Sequence, residues 1–585
     1  MKILKELIKP AIKHVFEELE LNSEEIDDFI QSPRDTTVCD LCIPCFSLAK
    51  LLKKNPINIA EEITLKLKKQ IIPEISIKNV NGYVNFNLDA NWIARKLFVD
   101  NYEFFKDSNN KKNILIEHTS ANPNGPFHVG RARNAILGDA LVRINREFGN
   151  EVIAEYYVDD MGKQVGILAW ALENLSKNEV DLILEKEGLD RLNPMWNEKE
   201  DHVRVRWYQA ANILRKENKN IELELSELIK KSEDGDEVVL KKFNDAFKPI
   251  LNGMLETLSK LGIEYDSFTN ESKFIINGSV NIIMNKLKNS KLHGEAENGA
   301  NYLELAEKGI SGKSTKFFFQ RGDGSSLYAT RDLAYHEWKW SRASKLINVL
   351  GEDHRLQSKQ VSIALSELNI KNPEVLFYSF IKLPEGKMST RKGNVVFMDD
   401  LIIEAEDMAL KVINNREYKT DTKNSLEISK AVASSAIRFN ILKVSPEKGF
   451  TFKWEDAMSF DADSAPFIMY SHARSCSISK RVKNTKYKER DIDYTNLIIN
   501  ESAANLLRTI MKFEDYIEKS VIENKPNHFC SYMLDISTKY NSFYRDCHIL
   551  EDGEVNDFYF KVSEYSRKLI NKGCKALGII PLESM

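Results

Sequence analysis

Residues 113–158 constrain the fold more than any other stretch. ILIEH (114–118) is an apolar, strand-like run, and an Asn/Pro/Gly-rich loop (119–127) ends it. An apolar pattern of helical period runs from His128 to Phe148, and EVIAEYYV (151–158) is strand-like again. Strand, loop, helix and strand in this order form a βαβ unit, which predicts a parallel sheet with helices on its faces.

The rest of the chain is arranged around that unit. Residues 1–108 alternate helical and β-rich stretches and predict an N-terminal α+β module that ends at the polar run KDSNNKKN. Residues 109–425 predict a Rossmann-like α/β core with a parallel sheet, with a charged helical insertion at about 165–265 and strands returning at TKFFFQR and KLINVLG. Residues 426–585 are almost wholly helical in pattern. The fold class expected is therefore multidomain α/β. A length of 585 residues fits it, being too long for one core.

Charge and cysteine content narrow the function classes. Lys and Arg total 83 against 87 Asp and Glu, so a small protein coating nucleic acid with uniform positive charge is excluded, while local basic patches remain open. No run approaches the ~18–20 apolar residues of a membrane span. The opening MKILKELIKPAIKHVFEELEL reads as an amphipathic helix instead of a secretory signal. Seven cysteines, an odd number, fit a reducing cytoplasm. Cys39, Cys42 and Cys45 mimic a metal ladder but lack a nearby fourth ligand, so they read as buried thiols; no structural metal is expected. GISGKST (309–315) lacks P-loop spacing and precedes a strand, so it reads as a turn.

Two elements carry chemistry. The first is Glu117-HTSANPNGPF-His128-Val-Gly130-Arg131, at the carboxyl edge of the predicted sheet, where open α/β folds bind ligands. Gly130 lets a flat ring approach the backbone, and His128 at a helix start can donate to phosphate oxygens. Alone, His-x-Gly there reads as helix capping. The second is Lys387-Met-Ser389-Thr390-Arg391-Lys392, a cationic loop between Gly386 and Gly393 suited to a leaving pyrophosphate. Alone, it reads as a solvated surface. Together, and in this order, they say more than either does.

The pair resembles the HIGH and KMSKS signatures of class I aminoacyl-tRNA synthetases, and the detail resembles arginyl-tRNA synthetases. The stretches that carry the resemblance are EHTSANPNGPFHVGRARNAILGDAL, YYVDDMGKQV, LGIEYDSF, DGSSLYATRDLAYHEWKW, INVLGEDH, KMSTRKGNVV, SPEKGFTF, APFIMYSHARSCSI and the final GIIPLESM, with IPCFSLAKLLKKNP in the leader. The resemblance implies ATP, with Mg²⁺, L-arginine and tRNA(Arg) as substrates. It implies that Tyr328 and Asp332 hold the guanidinium and that Glu117 and Asn122 bind the α-amino and carboxylate end, with His354 a neighbour. Tyr328 and Asp332 are four apart, on one face if a helix starts there. The alternative for Asp332 is an ion pair with Arg331 or a lysine. The resemblance also gives the helical tail to the anticodon, with Tyr470 and Arg474 as stacking and phosphate candidates, and the leader module to the outer corner of the tRNA. SKRVKNTKYKER (479–490) carries six basic residues against one acidic and is a further phosphate candidate.

Two positions depart from the signatures. Arg131 stands for the second histidine of HIGH and Thr390 for the second lysine of KMSK. Gly125 stands where some family members carry a compensating lysine. Arg391 or Lys392 is expected to supply the missing charge, and Arg131 a phosphate or ribose contact. A monomer is expected, since no sustained heptad seam appears. Rival readings are another class I synthetase such as the cysteinyl type, a smaller nucleotidyltransferase, a non-catalytic RNA-binding relative and an inactive paralogue. ATP–pyrophosphate exchange with each amino acid separates them.

Overall fold

The computed structural model describes residues 1–22, 26–33, 38–105, 111–189, 194–312, 315–382, 396–414, 422–461, 463–485, 487–495 and 497–585. Lys387, Ser389, Arg391 and Lys392 therefore lie outside the described residues, as does Lys486 of the basic stretch.

The leader packs the helices Lys2–Glu18 and Pro56–Leu67 beside an antiparallel sheet of β1 (Leu41–Pro44), β2 (Ile75–Val80) and β3 (Tyr83–Leu88), in the order β1-β3-β2. Cys39, Cys42 and Cys45 are free thiols buried at β1, as the packing reading expected.

The central five-stranded sheet is fully parallel. β4 (Asn113–Glu117) and β5 (Glu151–Val158) flank the helix Val129–Phe148, and β6 (Ser267–Asn270) follows the helical insertion. A small antiparallel sheet comes next, formed by β7 (His293–Glu295), β8 (Asn301–Glu304) and β9 (Lys316–Gln320). The chain then returns to the other side of β4 through β10 (Lys345–Gly351) and β11 (Glu374–Tyr378). The order β11-β10-β4-β5-β6 puts the reversal of direction between β4 and β10. At such a point the connections leave to opposite faces and open a crevice beyond the strand ends. GISGKST leads into β9, with Gly309 as a left-handed cap; residues 313 and 314 lie outside the described residues.

The insertion contains the helices Lys163–Asn174, Glu200–Glu217, Lys219–Glu233 and Glu237–Lys260; the helix Thr422–Leu442 leads into a tail that contains Ala465–Lys483, Pro526–Asp546 and Asp557–Leu577. One apolar core runs from leader to tail. Inside it, the fully buried Arg438 of the helix Thr422–Leu442 pairs with Asp139 of the helix Val129–Phe148 and donates to Leu577 O of the last tail helix and to Leu261 O, the latter at 2.9 Å. A buried guanidinium needs all of these acceptors, so catalytic core and tail are keyed to one arrangement. Among the described residues, no helix is long and apolar enough to cross a membrane.

Candidate active site

A cavity of about 490 Å³ occupies the crevice between the ends of β4 and β10. Its walls include Glu117, Asn122, Arg131, Tyr328, Asp332 and His354, six residues singled out from the sequence. They come from separate places along the chain, and the strand order brings them together.

The loop after β4 forms the floor. Thr119 and Ser120 hold φ of 66° and 38°, a left-handed conformation costly for a β-branched threonine. Its surroundings fix it. Asn134 accepts from the Thr119 N–H at 2.6 Å, Tyr265 donates to Thr119 Oγ1 at 2.6 Å, and the Tyr156 hydroxyl both accepts from and donates to the Ala121 backbone. Beneath it the His118 ring packs so closely that a β-carbon on Gly138 would lie 2.2 Å from His118 Cβ; only glycine fits there. Strain held by this many partners marks a loop fixed for a purpose.

The helix Tyr328–Trp340 forms an acidic wall of the cavity through Asp332. It begins at Tyr328, so Tyr328 and Asp332 do share a face. Asp332 Oδ1 meets His336 Nδ1 at 3.1 Å, and Arg331 turns away to Glu271 and Glu233. The expected alternative partners of Asp332 are thus replaced by a histidine one turn on. Burial alone would raise the Asp332 carboxyl, but His336 and Lys339 hold it below the usual carboxylate range. Burial, Glu271 and Asp332 together push the Tyr328 phenol well above 10, so it stays a protonated donor.

Lys339 was not read from the sequence. It is fully buried, donates to Glu117 Oε2 at 2.6 Å and Asn348 Oδ1 at 3.0 Å, and stands over the Tyr335 ring. The spacing 332, 336, 339 on one helical face carried the signal. Asp159, at the carboxyl end of β5, was also missed; it lines the cavity, and burial raises its carboxyl to about 6. Behind it burial raises Glu271 to about 8 despite Arg331. Asn122 donates to Gln164 at 3.0 Å, and the exposed His354 faces Gln357 at 3.3 Å.

The signature turn lies at the start of the helix Val129–Phe148. His128 is its N-cap in extended conformation, and Gly130 is exposed in the first turn. Burial, reinforced by Arg131, lowers the His128 imidazole to about 4, so near neutral pH it is an uncharged ring with one N–H to donate. The described end of the basic segment is tied to this turn. Val129 N donates to Val396 O at 3.0 Å and Met398 N to Phe127 O at 2.7 Å, with His128 bridged to Phe397. The other stem is tied by Arg133, buried on the same helix, which donates to Ser379 O, to Lys448 O at 2.8 Å and to Ser445 O at 2.9 Å. Nothing in the sequence alone marked Arg133.

Tyr470 and Arg474 stand apart, on the tail helix Ala465–Lys483. The Arg474 guanidinium lies between the rings of Tyr470 (4.8 Å) and Tyr544 (4.9 Å) and donates to Asn541 at 2.8 Å, at the wall of a groove of about 720 Å³.

This arrangement, an anionic cavity beside a helix-start histidine at a switch point, agrees with what family models match. The catalytic domain of the class I tRNA synthetases (R) matches residues 94–454, the arginyl tRNA synthetase N terminal domain residues 2–88, and the DALR anticodon binding domain residues 468–585. An arginine–tRNA ligase of Methanococcus aeolicus is 39% identical over 550 residues, covering 91% of this chain and 92% of the relative. The chain belongs to the arginyl-tRNA synthetase family. A second arginine–tRNA ligase, of Methanocella arvoryzae, is 38% identical over 546 residues, covering 92% of each chain. Among solved structures, the arginyl-tRNA synthetase of Thermus thermophilus superposes with a TM-score of 0.76 at 23% identity, covering 100% of both chains. That of Plasmodium falciparum does so at 0.76 and 19%, covering 99% of each. The arginyl-tRNA synthetase fold, with its leader, parallel-sheet domain and helical tail, is thus shared along the whole chain.

Proposed function

We propose that this chain attaches L-arginine to tRNA(Arg) for protein synthesis, in two steps with ATP. The observation that carries the reading is the cavity at the switch point, with Tyr328 and an ionised Asp332 on one helical face opposite Glu117.

A guanidinium is planar, permanently charged and a five-fold donor, so it is bound well by fixed carboxylate and hydroxyl acceptors. Asp332 and Tyr328 receive it, and Asp159 adds an acceptor at the same wall. Glu117, set by Lys339, and Asn122 hold the α-amino and carboxylate end, with His354 at the mouth. ATP lies over Gly130, whose missing β-carbon leaves room beside the His128 ring, and the neutral His128 donates to a phosphate oxygen. The arginine carboxylate attacks the α-phosphorus in line. The bond to the β-phosphate oxygen breaks, arginyl-adenylate forms and pyrophosphate leaves. Arg131, Lys387, Ser389, Arg391 and Lys392 stabilise the charge that develops there. The terminal ribose hydroxyl of the tRNA, the 2′-OH first, then attacks the adenylate carbonyl and AMP departs. No enzyme nucleophile takes part; positioning and electrostatics supply the rate.

Mg²⁺ enters with the ATP phosphates. Among the described residues, the cluster spaced to hold a metal is Asp201, His202 and Asp399, and the Lys199 ammonium already lies between its carboxylates, 2.8 Å from each. Those residues do not fit a Mg²⁺ cage. Tyr470 and Arg474 offer stacking and phosphate contact to the anticodon arm, and the leader meets the outer corner. The chain works as a cytoplasmic monomer.

The test is ATP–pyrophosphate exchange with each amino acid, with and without tRNA(Arg). Exchange with arginine alone, in the presence of tRNA, is expected; exchange with another amino acid, or none with arginine, overturns the reading. Loss of exchange in Arg391→Ala or Lys392→Ala identifies the cation that covers Thr390, and unchanged kinetics in both removes that role.

A further inference from the structure

The insertion reaches the signature turn by two contacts that the chemistry above does not use. The first is a buried knot of charge. Lys199 Nζ donates to Asp201 and Asp399 at 2.8 Å each, to Thr257 Oγ1 at 2.8 Å and to Gly253 O at 3.0 Å. His202 Nε2 meets the same Asp399 oxygen at 3.0 Å, and Thr257 donates to Asp399 at 3.0 Å. His202 stacks on Trp196 at 4.9 Å and edges against Phe397 at 5.1 Å, and Trp196 donates to Asp400 at 3.0 Å. Asp201, His202 and Asp399 are all buried, and a β-carbon on Gly253 would lie 2.5 Å from Asp201 Cγ. Burial would raise the Asp399 carboxyl, but His202 and Lys199 hold it down at about 2.

The second contact is steric. Val205, one turn along the same insertion helix, packs on the loop that precedes His128: a β-carbon on Gly125 would lie 2.6 Å from Val205 Cγ2. Phe397, two residues before Asp399, is the residue bridged to His128. The insertion thus holds both flanks of the histidine, one through Gly125 and the other through Phe397 and Asp399.

We propose that the insertion is a brace for the signature turn, in which Lys199, His202, Asp399 and Val205 are positioning residues that set His128 against ATP. A surface decoration would not need a buried ammonium between two buried carboxylates with a histidine on one of them, since truncating Lys199 strands two buried charges. Glu117, Tyr328 and Asp332 of the arginine wall stand on β4 and the helix Tyr328–Trp340, neither of which supplies a partner of the knot, and Asn122 is held by Gln164 and not by the knot. The brace therefore acts on the nucleotide and not on the amino acid. It rests on the reading of His128 as a phosphate ligand.

The test uses the full chain and reads ATP and arginine binding separately by calorimetry, beside exchange kinetics with tRNA(Arg). Asp399→Asn is expected to lower kcat/KM for ATP by about a hundredfold, the scale of a misplacement near 1 Å, while arginine affinity stays within about twofold. Gly125→Ala is expected to weaken ATP in the same direction, and Val205→Ala in the same chain to restore it. This pair decides the matter should Asp399→Asn fail to fold. Equal losses for ATP and arginine, or no rescue by Val205→Ala, overturn the brace. Wild-type protein without arginine-dependent exchange overturns the functional reading instead, and its ATP affinity still reports on the brace.

Discussion

The two halves of the site are built on different plans. The wall proposed for arginine is a local construction: Tyr328, Asp332, His336 and Lys339 lie within four turns of one helix, and their charges are satisfied by each other and by Glu117. The signature turn is held from a distance, by Arg133 reaching residues 379–448, and by Lys199 and His202 reaching Asp399. Recognition of a fixed cation is served by groups preset on a rigid element, whereas a phosphate-handling turn must be held against chain segments that arrive later.

The contrast breaks most sharply if Asp332→Asn disturbs both halves. It is expected to lower kcat/KM for arginine by roughly 10³–10⁴-fold, since a site built to pair a cation loses its charge, with the KM for ATP unchanged in steady-state exchange. Next in size is Arg133→Met, which keeps the stem length but removes a buried guanidinium and leaves three partly buried carbonyls unpaired. A loss of about 3 kcal/mol in denaturant unfolding is expected, with the ATP step impaired and arginine affinity retained. Loss of arginine affinity as well would merge the halves.

His118 lies under the strained turn that both halves share, and its effect is read from pH. Burial lowers its imidazole to about 4, against ~6.5 in the unfolded chain. Between those values the unfolded chain binds the extra proton, so stability is complete above ~6.5 and is lost as pH falls towards 4. The denaturation midpoint should drop between pH 7 and 5, and drop less in His118→Asn. The smallest effect is expected at Arg474→Lys, in a region belonging to neither half. Losing the stacked plane should weaken tRNA binding by about 1 kcal/mol, seen in filter binding, with tRNA-independent arginine affinity unchanged.

The same contrast explains how far the sequence could be read. The βαβ unit was legible because strand runs and helix period are local: β5 is the stretch EVIAEYYV as read, and β4 differs only in starting at Asn113 and releasing His118 to the core. Tyr328 and Asp332 were legible because four residues make one helical turn. Lys339 lay within the same pattern but was hidden because a lysine reads as surface until its partners are known. Arg133 and the Lys199–Asp399 pair were beyond reach: the partners of Arg133 lie 246 to 315 residues away and Asp399 lies 200 from Lys199, and only the packed chain says which charges meet.

Val205 of the insertion packs where a side chain at position 125 would stand. The volume beside position 125 holds either a side chain there or the valine methyl of the insertion, separated in this chain by what would be 2.6 Å. A relative that places a lysine at that position must give up bulk at the position of Val205, so the two columns of an alignment should vary together. Glycine with valine and lysine with alanine or glycine are the permitted pairs, and lysine with valine is the combination that steric exclusion forbids.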